Sequence, residues 1–250
     1  MATSVSGVSG QRPNYGIDAP NVLRNFFVFG VLCIVMALIL PAYWHVGEVV
    51  FKTRTMFWWM GGVLLVEGFL YLFYVKKGKE FQREKLLGMV AWRGDEQVLD
   101  VGCGRGLLLV GAAKRAPQGR ATGIDVWSQE DMAGNSEQAT QRNLQLEGVE
   151  GRCTLVSAGA QEMPFADASF DVVVSNLCLH NIYHKPTRQR AVAEIARVLR
   201  PGGVAVLSDY KLTGEYAARL RELGFAVERR WGSVWAFPPL RIVVARRPAN

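Results

Sequence analysis

The segment VLDVGCGRG, Val98 to Gly106, runs a hydrophobic strand into glycines at 102, 104 and 106, followed by a helical run from Leu107 to Arg115. Glycine permits a tight turn and lets a ligand lie against bare backbone, while the first turn of the helix presents unpaired N–H groups. Such a loop suits a nucleotide-like cofactor. It departs from the dinucleotide fingerprint GxGxxG, which needs glycine where this chain has Leu107. About 20 residues further on, Asp125 closes the next strand, ATGIDVW. A carboxylate at that spacing can accept both ribose hydroxyls of a nucleoside, the alternative being an ordinary helix cap.

A second group of reactive side chains follows a later strand, in the order Ser175, Asn176, Leu177, Cys178, Leu179, His180, Asn181, Ile182, Tyr183, His184. Histidine is the side chain whose ordinary pKa lies near neutrality, so His180 is the candidate general base. The alternative is that it only ties the loop backbone. His184 stands four residues away, yet no carboxylate or third ligand accompanies the pair, and no metal site is expected. Apolar neighbours make Cys178 a packed thiol rather than a nucleophile. Asp209 and Tyr210 reach the same edge as secondary contacts. None of the four cysteines, Cys33, Cys103, Cys153 and Cys178, forms a CxxC pair, which leaves neither a disulfide framework nor a zinc site to expect.

These residues need a scaffold, and from about Phe81 the pattern supplies one. Short β-branched runs alternate with helical segments, the signature of a parallel sheet with helices on both faces. Strands are expected at Gln97–Val101, Arg120–Asp125, Arg152–Val156, Asp171–Ser175, Val204–Asp209, Ala226–Arg229 and Arg241–Ala245, with helices at 107–115, 133–147, 186–199 and 214–223. The carboxyl ends of such strands form the ligand crevice, where the reactive residues fall. Trp231, Trp235, Phe237, Pro238 and Pro239 form an aromatic connection before the last strand, either a packed hairpin or an apolar wall for a ligand.

The chain is 50% apolar with mean hydropathy +0.09, but that average covers two solvents. Phe26 to Trp44 carries no charge, and Met56 to Val75 carries only Glu67. As helices these reach about 28 and 30 Å, a bilayer's hydrocarbon thickness, so two membrane spans are expected at about 26–44 and 56–75. A wholly soluble chain and a mainly disordered one are both excluded on this reading. Glu67, near mid-span, is either functional or used in helix pairing. Two basic residues precede the first span, two lie between the spans and five (Lys76, Lys77, Lys79, Arg83, Lys85) follow. That asymmetry places both termini and the domain after Val75 in the cytoplasm. Of the net charge of +7, six units lie from Lys76 onward (25 basic, 19 acidic). They are scattered except at 76–85, which reads as membrane-surface contact or topology signal and gives no case for nucleic acid.

In order and spacing, VLDVGCGRG, GIDVW, AQEMPFADASFDVVVSNLCLHNI and EIARVLRPGGVAVLSDY resemble the class I S-adenosylmethionine-dependent methyltransferases, in the branch with small-molecule and quinone C-methyltransferases. The resemblance covers roughly residues 80–250. It implies an α/β, Rossmann-like sheet of seven strands with S-adenosylmethionine as cofactor. By the same resemblance, Asp100, Gly102, Gly104 and Gly106 surround the methionine part, Asp125 takes the ribose, and Val126 and Trp127 lie against adenine. Relatives often carry Asp before the alanine equivalent to Ala160; this chain has Gly159, which leaves adenine recognition to backbone and Gln161. Asn176 is a candidate for both cofactor and reacting end, with His180 and Tyr183 facing the methyl group.

The expected organisation is a tail (1–21), a two-helix anchor (22–79) and a methyltransferase domain (80–250). The segment Asn14 to Pro20 emerges beside the domain and is expected either to close its mouth or to remain a free tail. The expected acceptor is a small or lipid-soluble molecule met at the bilayer. The alternatives are a diffusible acceptor such as a thiol and a cofactor-binding scaffold without turnover. The sequence does not set the oligomeric state.

Overall fold

A computed structural model describes residues 11–130 and 132–249. Helix α1 (Pro20–Ile39) opens on a proline, whose missing N–H costs nothing in the first turn, and ends where Leu40 turns extended ahead of Pro41. The chain reverses through a two-stranded ribbon, β1 (Trp44–Val46) and β2 (Val49–Phe51), into helix α2 (Thr53–Phe73). Where a helix to residue 44 is expected, prolines at both ends move α1 back by about a turn and a half, and residues 44–51 form the ribbon. The two helices pack closely: a Cβ on Gly61 would sit 2.7 Å from Ile34 and 2.9 Å from the Gly30 carbonyl. Both are long and apolar enough to cross a membrane. Their outward side chains, including Phe29, Leu32, Leu38, Trp59, Val66 and Phe69, are exposed.

No loop separates this hairpin from the rest. Helix α2 passes through one π-helical turn (Tyr74–Gly78) directly into α3 (Lys79–Leu87), which ends at Gly88. The expected boundary at residue 79 is therefore mid-helix, with no breaker between Thr53 and Leu87 strong enough to end it.

The remaining elements are β3 (Gln97–Val101), α4 (Leu107–Arg115), β4 (Arg120–Asp125), α5 (Glu137–Leu146), β5 (Cys153–Ser157), β6 (Phe170–Asn176), α6 (Lys185–Val198), β7 (Leu199–Asp209), α7 (Thr213–Glu222), β8 (Ala226–Trp231) and β9 (Arg241–Arg246). Seven strands form one sheet in the order β5-β4-β3-β6-β7-β9-β8. The first five run parallel, whereas β9 pairs antiparallel with β7 and with β8. This corrects the wholly parallel expectation, because β8 and β9 share a short hairpin connection and cannot both run with the others.

Alternate residues of each strand face opposite ways. Val173, Leu207 and Val243 pack on α6 and α7, while Val172, Val174, Val206 and Val244 pack on α3, α4 and α5. Truncating a fully buried residue such as Leu207 to alanine costs about 2–5 kcal/mol. Helix α5 begins four residues later than expected. Ser136 caps it, its Oγ accepting from Ala139 N at 3.2 Å, and the preceding residues are held in the loop that approaches Asp125.

Candidate active site

Strands β3, β4 and β6 end side by side, and their exit turns build the floor of a cavity of about 790 Å³. Gly102, in the β3 exit, has φ +70°, and a Cβ there would lie 2.2 Å from Cys178 Sγ, so only glycine lets the β3 and β6 turns meet. Two non-glycine residues also adopt left-handed backbone at this edge, Trp127 after β4 and Leu177 after β6. Strain of this kind is tolerated where a turn is over-determined, and it concentrates at functional sites.

Asp125 organises the turn that follows β4. Its carboxylate accepts from Gly104 N at 2.8 Å, Trp127 N at 2.6 Å and Asn135 Nδ2 at 3.2 Å. A carboxylate has about four acceptor positions, so these bonds aim it without exhausting it. The space that a side chain at 159 would occupy is filled by the Gln161 amide, whose Nε2 is 2.5 Å from the Cβ position.

Asp100 is 1% exposed, and its Oδ2 has no hydrogen-bond partner. Burial pushes its carboxyl up to about 8; an N–H bond from Leu109 opposes the shift, and the nearby Asp125 charge adds to it. A smaller cavity of about 50 Å³ opens beside it, lined among others by Lys79, Arg105, Tyr15 and Asp18. The Nε of Arg105 is likewise buried without a partner. A free carboxyl oxygen of Asp100 and the free Nε of Arg105 beside one small space have the chemistry to meet the ammonium and carboxylate of an amino acid.

The reacting end is carried by the turn after β6. The main-chain N–H of His180 donates to Asp209 Oδ2 at 3.1 Å, and its ring Nδ1 lies 2.8 Å from Asp209 Oδ1, off the line of an ideal hydrogen bond. The ring also meets Tyr210 edge-on, with centroids 4.7 Å apart. Asp209 is itself buried and receives the Tyr216 hydroxyl at 3.2 Å. The imidazole is thus fixed from three sides at the cavity wall. Burial raises the thiols of Cys103 and Cys178 well above the ordinary range, which makes both poor nucleophiles.

Of the residues singled out from sequence, Gly102, Gly104, Asp125, Val126, Ala160, Gln161, Asn176, His180 and Tyr183 line the large cavity, with Tyr183 exposed at its mouth. Asp100 lines the small cavity. Gly106 and Trp127 line neither: Gly106 caps α4, and the Trp127 indole donates to Ser157 Oγ at 2.7 Å. Sequence reasoning missed Asn135, Tyr74 and Phe26, which line the large cavity, whereas Phe237 and Pro238, expected either in a packed hairpin or in an apolar wall, do line it. Only the aromatic and proline run at 231–239 gave any signal.

Residues 14–18 form a strap across the domain. Asn14 N donates to Asn143 Oδ1 at 3.0 Å, and the Tyr15 hydroxyl donates to Glu147 at 2.6 Å. Lys79 Nζ donates to the Tyr15 and Gly16 carbonyls at 2.8 and 2.6 Å and lies 3.7 Å from the Asp18 carboxylate. Burial lowers the Lys79 ammonium and raises the Asp18 carboxyl, and each partner's charge opposes the other's shift. Lys79 is therefore an internal clamp, which corrects its reading as a surface contact; Lys76 and Lys77 remain exposed. Asp18 bridges to Met132, which brings the strap against the loop beside Asp125.

Comparison with known proteins agrees with this geometry. Residues 99–207 match the family described as "Methyltransferase domain". The 27-O-demethylrifamycin SV methyltransferase of Amycolatopsis mediterranei is 35% identical over 58% of this chain and 52% of its own length. The ubiquinone/menaquinone biosynthesis C-methyltransferase UbiE of Dinoroseobacter shibae is 30% identical over 51% of this chain and 48% of its own. The chain thus spans about half the length of the curated relatives it matches. Among solved structures, Burkholderia thailandensis 1,6-didemethyltoxoflavin-N1-methyltransferase, bound to 1,6-didemethyltoxoflavin and S-adenosylhomocysteine, aligns with TM-score 0.52 at 22% identity, covering 67% of this chain and 76% of that one. Residues 99–207 are thus similar to a methyltransferase domain, and the solved Burkholderia structure shares the fold of the sheet and its crevice.

Proposed function

We propose that this chain is a membrane-anchored, S-adenosylmethionine-dependent methyltransferase that takes its acceptor from the lipid phase. One observation carries the reading. A single cavity is lined both by Gly104, Asp125 and His180 of the domain and by Val22, Phe26, Glu67 and Tyr71 of the helix hairpin. The hairpin's exposed apolar faces support membrane insertion, since core helices of a soluble protein would bury them. The basic residues after Val75 favour a cytoplasmic domain and cytoplasmic termini. The quinone reaction named for the Dinoroseobacter relative is compatible with a lipid-soluble acceptor.

In this reading Arg105 and Asp100 hold the amino-acid end of the donor, Asp125 holds the ribose, and Val126, Ala160 and Gln161 border adenine. The donor supplies a methyl group already activated on a sulfonium. The protein's task is to align the acceptor in line with it and to exclude water. Asn176 stands at the end of β6 with Oδ1 buried and unpartnered, placed to orient either molecule. His180 takes the proton that an acidic acceptor must lose, and Asp209 positions its ring. The test is transfer of labelled methyl from S-adenosylmethionine by the full chain in vesicles, followed by fractionation. Label in the lipid fraction is expected; label confined to water-soluble products refutes the lipid acceptor.

A further inference from the structure

Glu67 is the only charged residue between Met56 and Val75, and the facing stretch from Phe26 to Trp44 has none. No cation within either stretch can neutralise it, and a carboxylate at that depth is costly unless something is bound to it. It lies eight residues before Val75, about 12 Å along the helix at 1.5 Å per residue. It borders the same cavity as His180 and Asn176, together with Phe26, Tyr71 and Phe237.

Tyr74, one helical turn past Tyr71, is 1% exposed, and its hydroxyl faces the Asn176 side chain, whose Oδ1 is left without a partner. The Tyr71 hydroxyl is by contrast occupied, donating to the Asp18 carbonyl at 2.7 Å. Buried polar atoms are nearly always paired, so the free Asn176 Oδ1 and, further up the cavity, the half-buried Glu67 carboxylate outline polar positions to be met by a bound molecule. The aromatic rings between them outline its apolar body.

We propose that Glu67 is the specificity residue for the acceptor, receiving a hydrogen-bond donor, a hydroxyl or an ammonium, borne by a lipid-soluble aromatic or chain-bearing molecule. The proposal rests on the lipid-acceptor reading and adds to it a chemical demand. An acceptor whose only polar groups are carbonyls or ethers leaves Glu67 unpaired and binds poorly. Recognition of this polar group occurs inside the hairpin, while methyl transfer occurs at the sheet edge.

The full chain in phosphatidylcholine vesicles is titrated with three probes: dodecylhydroquinone, its dimethyl ether, and dodecylamine. The wild type is expected to bind dodecylhydroquinone or dodecylamine at least tenfold more tightly than the ether. Glu67→Leu should erase that preference, and S-adenosylmethionine affinity should be unchanged, which reports an intact domain. Glu67→Gln separates the two donor classes: it keeps part of the hydroxyl preference but loses the ammonium preference. No preference in the wild type, or a preference that survives Glu67→Leu, overturns the proposal. Failure of the lipid-acceptor reading is distinct, because it shows as absence of lipid-borne label from the wild type.

Discussion

The two ends of the large cavity are built in different ways. The end we propose for the donor is made of backbone: the exits of β3 and β4, with Asp125 aimed by two main-chain N–H groups and Asn135. The end we propose for the acceptor is made of side chains from widely separated segments: Phe26 on α1, Glu67 and Tyr71 on α2, His180 after β6, Tyr210 after β7, and Phe237 between β8 and β9. A backbone cradle holds one shape whatever the side chains nearby, so it suits a ligand common to many enzymes. A side-chain wall changes with each substitution, so it suits the ligand that distinguishes one enzyme from another.

If that contrast is right, damage at the two ends should separate cleanly. The largest effect is expected from Asp125→Ala, which removes both the ribose acceptor and the anchor of the Gly104 and Trp127 turns. Calorimetry should show S-adenosylmethionine binding weakened by at least a hundredfold, and unchanged binding would undo the assignment of the donor end. Next comes His180→Ala. General-base loss is worth about 10²–10⁴ in turnover, with donor affinity retained; Asp209→Asn should give a smaller loss through misorientation, and full activity in both would leave the histidine a structural role.

The third effect depends on pH. Asp100 has its folded pKa raised to about 8 from 3.8, so its ionisation opposes folding increasingly as pH rises from about 4 to about 8. Asp100→Asn removes that penalty. The variant should melt higher than wild type at pH 8 with little difference at pH 4, while donor binding weakens and loses its increase with pH through about 8. Melting curves that stay parallel across this range would contradict the assignment. The smallest effect is expected from Lys79→Met, which frees the strap of residues 14–18: several-fold weaker donor binding, with membrane association unchanged in flotation. Equal donor affinity would show that the strap packs on the domain without closing it.

Much of the donor end was legible in the chain because it is local. A strand, a glycine turn and a carboxylate at the end of the next strand lie within about thirty residues, and their spacing reflects the geometry of one βαβ unit. The bounds of β3, β4 and α4 match expectation to the residue. The acceptor wall was not legible, since nothing local to Tyr74 or Phe26 marks them as neighbours of His180; only the return of the hairpin and the aromatic connection brings them there. Trp127 shows a related limit: its place after Asp125 does not announce the left-handed backbone that turns the indole towards Ser157. The antiparallel β9 escaped because an apolar strand reads the same in either direction.

The unbroken passage from α2 through the π-helical turn into α3 makes the hairpin and the sheet one rotor. Each helical residue advances the azimuth by about 100° and the height by about 1.5 Å. The extra residue that a π turn accommodates therefore sets the phase at which the crevice meets the hairpin. Deleting a single residue from Tyr74–Gly78 would leave every catalytic group present and every span intact, yet turn the mouth of the cavity away from Phe26 and Glu67. Activity in this chain is thus tied to an angle, fixed by the count of residues in one turn of helix.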